Sequence, residues 1–234
     1  VTQLLQRLLA AAPADGEDGR DGRFAAEQNA RVVKDAEAYY RAMVRSDSGS
    51  WNVRDRHMGD TLDQLLQHHG PGAKGIVWAH NTHNGDARFT DMADEGTVNL
   101  GQLAREQLGR ENVALVGFGS HRGAVIAGSQ WDAPWEAMAV PPGRPGSWED
   151  TLHAAGPEDK LLFFDDPSDQ MLEWRGHRAI GVVYRPEYER YGNYVPTVLP
   201  ERYDAFLYLD RTTALRPLFA PADDAVRTDD LVDY

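Results

Sequence analysis

Residues 75–83 read Gly-Ile-Val-Trp-Ala-His-Asn-Thr-His, and this stretch decides how the rest of the chain is interpreted. Its apolar first half predicts a buried β-strand at residues 75–79, and the polar half predicts the loop that follows. His80 and His83 therefore come where a strand ends. Reactive side chains gather beyond the carboxyl ends of strands in open α/β sheets, and histidine exchanges protons near neutral pH. The stretch thus predicts an α/β fold with a histidine pair at its functional site.

The segments on either side extend this prediction. Upstream, apolar residues at helical spacing predict helices at residues 1–12, 24–45 and 52–69. Downstream, strands are predicted at 112–118, 160–164, 178–184 and 203–209, helices at 99–108 and 148–155, an extended segment at 121–127 and an irregular proline-rich loop at 134–147. The pattern predicts an α/β fold with a central, mostly parallel sheet flanked by helices and an N-terminal helical segment.

The predicted domain organisation has three parts. Residues 1–23 form an N-terminal helix and a flexible Gly- and Asp-rich linker, residues 24–218 form the α/β domain, and residues 219–234 form an acidic tail. The chain begins with valine, and its first strand is predicted only after Lys74. We therefore expect a fragment of a longer protein, with a partial domain.

Composition restricts the classes of partner. The 234 residues carry a formal charge of -13, which argues against nucleic-acid binding, since phosphates attract a basic face. No apolar run approaches the ~20 residues of a membrane helix, so we expect no membrane partner and a cytoplasmic protein. The chain has no cysteine, which excludes disulfides and thiolate chemistry. Neither a Gly-x-Ser-x-Gly elbow nor a nucleotide-binding fingerprint occurs.

Five segments together resemble the erythromycin esterase family. Taken in chain order, they are residues 51–58 (WNVRDRHM), 77–88 (VWAHNTHNGDAR), 99–103 (NLGQL), 116–123 (VGFGSHRG) and 179–186 (AIGVVYRP). The resemblance covers residues 24–218 and is to the carboxyl-terminal half of a member. It implies an α/β hydrolytic enzyme, and the best-known members open the lactone ring of macrolide antibiotics. It also implies that His80 and His83 pair with an earlier Gly-Glu-x-x-His-Gly motif, which this sequence lacks, so the chain is expected to carry half of a catalytic site.

Ester hydrolysis requires an activated water, a donor to the developing oxyanion and a proton for the leaving alkoxide. His80 and His83 are the candidates for the donor and the proton, or for orienting a water held by a base elsewhere. The resemblance adds Arg54 and Asp55 as catalytic candidates. We also predict that His121, Arg122 and Trp131 bind substrate. A small-molecule ester or lactone is the expected partner, with no cofactor.

Other interpretations of the same residues stay open. In one, none of the candidates has a functional role. His80 then only satisfies backbone groups, and His83 is a solvated loop residue. Arg54 and Asp55 begin a helix, His121 and Arg122 form surface ion pairs, and Trp131 packs an irregular loop. In another, Asp86 joins the two histidines as a metal ligand of a metal-dependent hydrolase. A third is a non-catalytic remnant that binds a small molecule. The oligomeric state is not predicted.

Overall fold

The computed structural model describes residues 17–45 and 49–216, with residues 3 and 7 in addition. It begins with two long antiparallel helices, α1 (Glu17–Val44) and α2 (Gly49–His69). His57 Nδ1 lies 3.0 Å from Asp35 Oδ2, and His68 Nε2 lies 2.7 Å from Asp21 Oδ1, so the start of α1 packs beside the end of α2. The pair forms a helical layer that presents α2 to the rest of the fold.

Two helices of the middle region pack closely on each other. The short α3 (Asn81–Asn84) follows residues 75–79, and α4 (Leu100–Leu108) begins at the N-cap Asn99. A Cβ at Gly101 would lie 2.2 Å from the carbonyl oxygen of Asn84. Only a residue without a side chain therefore lets α4 approach α3 this closely.

The main sheet has four strands in the order β2-β1-β6-β3. They are β1 (Val116–Gly128), β2 (Trp135–Val140), β3 (Lys160–Phe163) and β6 (Ala205–Thr212). β1 and β6 are parallel, with Phe118 opposite Leu207, whereas β1–β2 and β3–β6 are antiparallel. A second, two-stranded sheet pairs β4 (Arg175–Arg178) with β5 (Tyr194–Thr197).

The remaining helices are short. They are α5 (Trp148–Ala154), α6 (Glu189–Gly192) and α7 (Leu199–Arg202), with 3₁₀ turns at Ala87–Phe89, Asp91–Ala93, Arg110–Asn112, Asp169–Leu172 and Pro186–Tyr188. No helix among the described residues is both long enough and apolar enough to cross a membrane.

The main core covers one face of the sheet. Trp148 and Leu152 of α5 pack with Tyr203, Phe206 and Tyr208, all of them buried. On the opposite face, Val116 and Phe118 of β1 and Leu161 and Phe163 of β3 are exposed. Within the described residues the sheet is therefore covered on one face.

The α/β fold class is confirmed, and the predicted middle helices are present with their ends within a few residues. The sheet is mixed rather than mostly parallel. Its parallel pair, β1 and β6, is joined by antiparallel neighbours, because the segment predicted as an irregular loop contains β2, which returns beside β1 as a hairpin. Met138 and Val140 point inward from β2, a period-two pattern that the flanking prolines obscured.

Three strand predictions are wrong in detail. Residues 75–79 form no strand, and residues 75–78 are exposed rather than buried. The free edge of β1 at Phe118 is bound instead by the side chain of Asn81. The segments predicted separately at 112–118 and 121–127 form the single strand β1. The strand predicted at 178–184 is instead the shorter β4, which ends at Arg178.

The N-terminal prediction is partly wrong. Residues 17–23, predicted as part of a flexible linker, are the first turns of α1. The predicted helix at 1–12 lies outside the described residues except at positions 3 and 7, and the acidic tail at 219–234 lies outside them entirely. The boundary at residue 218 stays a prediction.

Candidate functional site

The centre of the candidate site is a contact between His83 of α3 and Asp55 of α2. His83 Nδ1 lies 2.8 Å from Asp55 Oδ1 and 3.1 Å from Oδ2. The Asp55 carboxylate is 0% exposed, and its Oδ1 also accepts the backbone N–H of Leu100 at 3.1 Å. A buried carboxylate is held in place by such bonds because an unpaired charge away from water is costly. Helices α2, α3 and α4 therefore meet at this one side chain.

Two further side chains of α2 enclose the His83 ring. The Trp51 indole stacks on it with ring centroids 4.7 Å apart and planes 5° apart, and its Nε1 donates to the carbonyl of Val98 at 2.8 Å. Arg54 places its guanidinium 4.7 Å from the centre of the Trp51 ring, and its Nη2 lies 3.3 Å from His83 Nε2. The imidazole is thus held on one face by Trp51 and at both nitrogens by charged groups of opposite sign.

These contacts define the tautomer of His83. The carboxylate of Asp55 only accepts and the guanidinium of Arg54 only donates, so the neutral ring carries its proton on Nδ1 and leaves Nε2 as an acceptor. The His83 side chain retains 17% of its exposure, so solvent reaches it. An imidazole with Nδ1 held by a carboxylate and its acceptor Nε2 beside a guanidinium can take a proton next to a donor for developing negative charge.

His80 has a different role in the same segment. It caps α3, since its Nδ1 accepts the backbone N–H of Thr82 at 3.2 Å, while Nε2–H donates to the carbonyl of Ile180 at 2.8 Å. Burial lowers the pKa of His80, the hydrogen bond to the Ile180 carbonyl raises it, and the pKa lies below its ordinary value on balance. His80 is therefore a neutral ring with the opposite tautomer, and both of its nitrogens are engaged.

The turn that carries His83 is held in place by the side chains of Asn99 and Arg202. Asn99, fully buried, donates to the carbonyls of Thr82 and Gly85 and accepts the N–H groups of Ala87 and Gln102. Arg202 of α7 donates to the carbonyl of Asn81 at 3.2 Å. A Cβ at Gly85 would lie 2.4 Å from Arg202 Nε, so glycine is required for this approach. Residues 80–85 are consequently anchored from α4 and α7 at once.

Comparison with known proteins gives the family. The family model described as erythromycin esterase matches residues 1–212. The chain belongs to the erythromycin esterase family. A Bacillus subtilis (strain 168) protein, YbfO, whose name proposes a hydrolase, is 26% identical over 169 residues, which cover 70% of this chain and 36% of that protein.

Solved structures share the fold of this erythromycin esterase family member. A Bacillus cereus protein superposes with a TM-score of 0.70 at 14% identity, covering 90% of this chain and 49% of that one. A mutant of the erythromycin esterase EreC, in its open conformation, superposes with a TM-score of 0.58 at 20% identity, covering 90% and 51%. The chain thus spans about half the length of these structures.

Asp86, the third ligand of the metal alternative, is engaged elsewhere in this family member. Its carboxylate is fully buried and accepts from Arg88 Nη2 at 2.7 Å and Arg105 Nη1 at 3.1 Å. Burial alone raises the pKa of Asp86, but the hydrogen bonds from the two arginines outweigh it and the pKa lies below its ordinary value. Within the described part of the chain, no three His, Asp or Glu side chains are grouped as metal ligands. Asp86 acts as the buried partner of two arginines.

The three predicted substrate-binding residues lie apart from the His83 contacts. His121 is buried and stacks on His153 with centroids 3.8 Å apart, and its Nδ1 faces the N–H of Gly143 at 3.4 Å. Trp131 is 77% exposed in the β1–β2 loop. Among the described residues, no hydrogen bond or ring contact joins His121, Arg122 or Trp131 to His83, so their substrate role stays a prediction.

An apolar groove runs beside the site. About 930 Å³ in volume, it lies between α2 and the extended residues 75–79 and is lined by Leu62, Leu66, Val77 and Trp78, among others. Ile76 and Trp78 are 96% and 86% exposed. The groove therefore presents apolar surface along the segment that leads into α3.

Sequence reasoning missed a second histidine–carboxylate pair. His177 of β4 and Glu149 of α5 are both buried, with Nδ1 and Oε1 2.7 Å apart. Twenty-eight residues separate them in the sequence, and His177 lies one position before the segment predicted as a strand at residues 178–184. No local sequence pattern links residues this far apart. The one available signal is Asn81, which contacts His177 and lies in the stretch of residues 75–83.

Proposed function

We propose that this chain supplies catalytic residues of a hydrolase that uses water to cleave a carboxylic ester or a lactone. Membership of the erythromycin esterase family supports a hydrolase, and so does the name of the YbfO relative. The observation that carries the proposal is the arrangement at His83, whose ring lies between the buried carboxylate of Asp55 and the guanidinium of Arg54.

The proposed reaction divides the chemistry among these three side chains. The oxygen of a water molecule bonds to the carbonyl carbon while His83 Nε2 takes one of its protons. Asp55 stabilises the imidazolium that forms, and Arg54 donates to the negative charge on the carbonyl oxygen. When the carbon–oxygen bond of the ester breaks, His83 gives its proton to the leaving oxygen. The products are a carboxylic acid and an alcohol, or one hydroxy acid from a lactone.

Other residues serve this arrangement without touching the reacting atoms. His80 caps α3 and binds Ile180, so we assign it to holding the turn rather than to proton transfer. The groove of Leu62, Leu66, Val77 and Trp78 offers apolar surface to the hydrocarbon part of a substrate. The finer identity of that substrate, macrolide or simpler ester, is left to the assay.

The test is hydrolysis by the purified chain of 4-nitrophenyl acetate, 4-nitrophenyl butyrate, δ-valerolactone and erythromycin, followed by absorbance or pH-stat. His83→Asn is expected to lower kcat by about 10²–10⁴-fold, the contribution of a positioned acid or base. The matched control is His68→Asn, which removes a histidine of α2 bonded to Asp21 and leaves the rate unchanged.

Three results would overturn the proposal. Equal rates for the wild type and His83→Asn would remove the assigned role of His83. Binding of an ester or lactone without turnover, measured by calorimetry, would identify a non-catalytic binding module instead. Hydrolysis that EDTA abolishes and zinc restores would identify a metal-dependent enzyme.

A further inference from the structure

The buried pair of Glu149 and His177 faces the segment that carries His83. Glu149 Oε1 accepts from His177 Nδ1 at 2.7 Å and from the backbone N–H of Arg178 at 2.9 Å. Burial alone raises the pKa of Glu149, but the hydrogen bond from His177 and the charge of Arg178 lower it below its ordinary value. Glu149 is thus an ionised acceptor, and the His177 ring carries a proton on Nδ1.

This tautomer leaves His177 Nε2 as an acceptor, and the group opposite it is the side-chain amide of Asn81. Asn81 Nδ2 lies 3.3 Å from Nε2 and also donates to the carbonyl of Phe118, while Asn81 Oδ1 accepts the N–H of Phe118 at 3.1 Å. If the amide were turned over, its oxygen would face the ring nitrogen and the Phe118 carbonyl, and three acceptors would meet. The backbone of Phe118 and Nε2 of His177 therefore favour the same orientation of the Asn81 amide.

Asn81 is the first residue of α3, two positions before His83. Its amide ties α3 to the edge of β1 at Phe118, and its backbone carbonyl accepts from Arg202. A change at Asn81 is therefore expected to shift α3. Such a shift would move His83 relative to Asp55, which lies on α2.

We propose that His177, oriented by Glu149, is a positioning residue that acts through Asn81 to align His83 with Asp55. This inference rests on the proposed hydrolase function for its kinetic consequence. Within the described residues His177 makes no hydrogen bond to Asp55 or Arg54, so its effect on the reaction passes through the Asn81 amide.

Two substitutions at one position separate the two bonds of the ring. His177→Asn places an amide near Nδ1 that still donates to Glu149 but cannot reach Asn81. His177→Gln places an amide oxygen near Nε2 that still accepts from Asn81 but leaves Glu149 unpaired. His153→Asn is the matched control. His153 lies on α5 one helical turn after Glu149, and its Nδ1 lies 2.6 Å from the carboxylate of Asp210.

The kinetic readout is kcat and KM for 4-nitrophenyl butyrate, with thermal unfolding of each variant recorded alongside. His177→Asn is expected to keep its melting temperature within a few degrees and its KM within twofold while kcat falls at least about tenfold, since ångström-scale misplacement of a catalytic group costs on the order of 100-fold. His177→Gln is expected to melt earlier yet retain more of kcat. The double variant His177→Asn with Asn81→Ala should be no slower than Asn81→Ala alone.

A kcat for His177→Asn equal to that of wild type would overturn the inference, and so would losses that multiply in the double variant. The inference also has a readout that needs no activity, the ¹⁵N resonances of the His83 ring. Their tautomer population should change in His177→Asn and not in His153→Asn. If the wild-type chain hydrolyses no ester, the proposed function fails, while the resonances still decide the positioning role: an unchanged His83 spectrum in His177→Asn would refute it.

Discussion

Two buried glycines, one in α2 and one in α4, allow a test of how His83 is positioned. Gly59 of α2 and Gly101 of α4 are both helical and buried, and alanine is about 1 kcal/mol more favourable than glycine inside a helix. Their surroundings differ. A Cβ at Gly59 meets Leu103 Cδ1 at 3.6 Å, an ordinary contact, whereas a Cβ at Gly101 lies 2.2 Å from the backbone oxygen of Asn84.

Because of these contacts, the same glycine-to-alanine substitution is expected to raise the free energy of unfolding at one position and lower it at the other. For Gly59→Ala, about 1 kcal/mol of helix propensity adds to about 0.8 kcal/mol from the buried methyl group, so the free energy of unfolding rises by roughly 1–2 kcal/mol. For Gly101→Ala, the propensity gain is outweighed by overpacking of about 3 kcal/mol, because the opposing atoms belong to the backbone of α3 and cannot rotate away. The expected net loss is about 2 kcal/mol.

Urea unfolding and thermal melting followed by circular dichroism measure both effects. At about 2–4 °C per kcal/mol for a chain of this size, Gly101→Ala should melt roughly 4–8 °C lower and Gly59→Ala a few degrees higher. Because the clash pushes on the helix that carries His83, ester hydrolysis should fall in Gly101→Ala and stay unchanged in Gly59→Ala. Two melting temperatures that move in the same direction would refute the close approach of α3 and α4.

Three further predictions concern the buried polar groups. Arg105→Met removes the more buried of the two arginines that pair with Asp86 and its ion pair with Asp204, and should lower the free energy of unfolding in urea by about 3 kcal/mol, so a loss under 1 kcal/mol would contradict the pairing. Asn99→Ala removes an N-cap and leaves the backbone groups of the turn unpaired, at a cost of roughly 3 kcal/mol in the same assay, and a neutral result would refute that anchoring role. Burial lowers the pKa of both His80 and His121, so the folded state binds fewer protons than the unfolded state. The stabilisation is fully present above the ordinary pKa of 6.5 and is lost as the pH falls below it. The free energy of unfolding, measured in urea from pH 7.5 to pH 5, should decline steadily, and a flat profile would contradict this.

Local signals in the sequence predicted the pieces of the site. The helical spacing of apolar residues predicts α2, and the pattern of residues 99–108 predicts α4, because helical periodicity is a property of neighbouring residues. The position of His83 after an apolar run predicts it as a candidate, and the family resemblance adds Arg54 and Asp55. Their mutual contact required the packing of α2 against α3, which no local pattern encodes.

The features that sequence reasoning missed all depend on long-range pairing. Residues 75–79 have the composition of a strand, but composition does not say which strand lies beside them, and Asn81 takes the β1 edge at Phe118. The partners Glu149 and His177 come from a helix and a strand that meet only in the folded chain. The hairpin strand β2 was obscured because prolines at both ends resemble a loop, although its alternating burial follows from Met138 and Val140.

The account depends on Asp55 holding His83 as the tautomer protonated on Nδ1. Long-range ¹H–¹⁵N correlation spectra of the histidine-labelled chain at pH 7.5 measure this directly, with the His83 signals assigned by their loss in His83→Asn. The expected result is a protonated Nδ1 and an unprotonated Nε2 for His83, the opposite tautomer for His80 in the same spectrum, and loss of the His83 preference in Asp55→Asn. A His83 ring protonated on Nε2 in the wild type, or an unchanged tautomer in Asp55→Asn, would contradict the account.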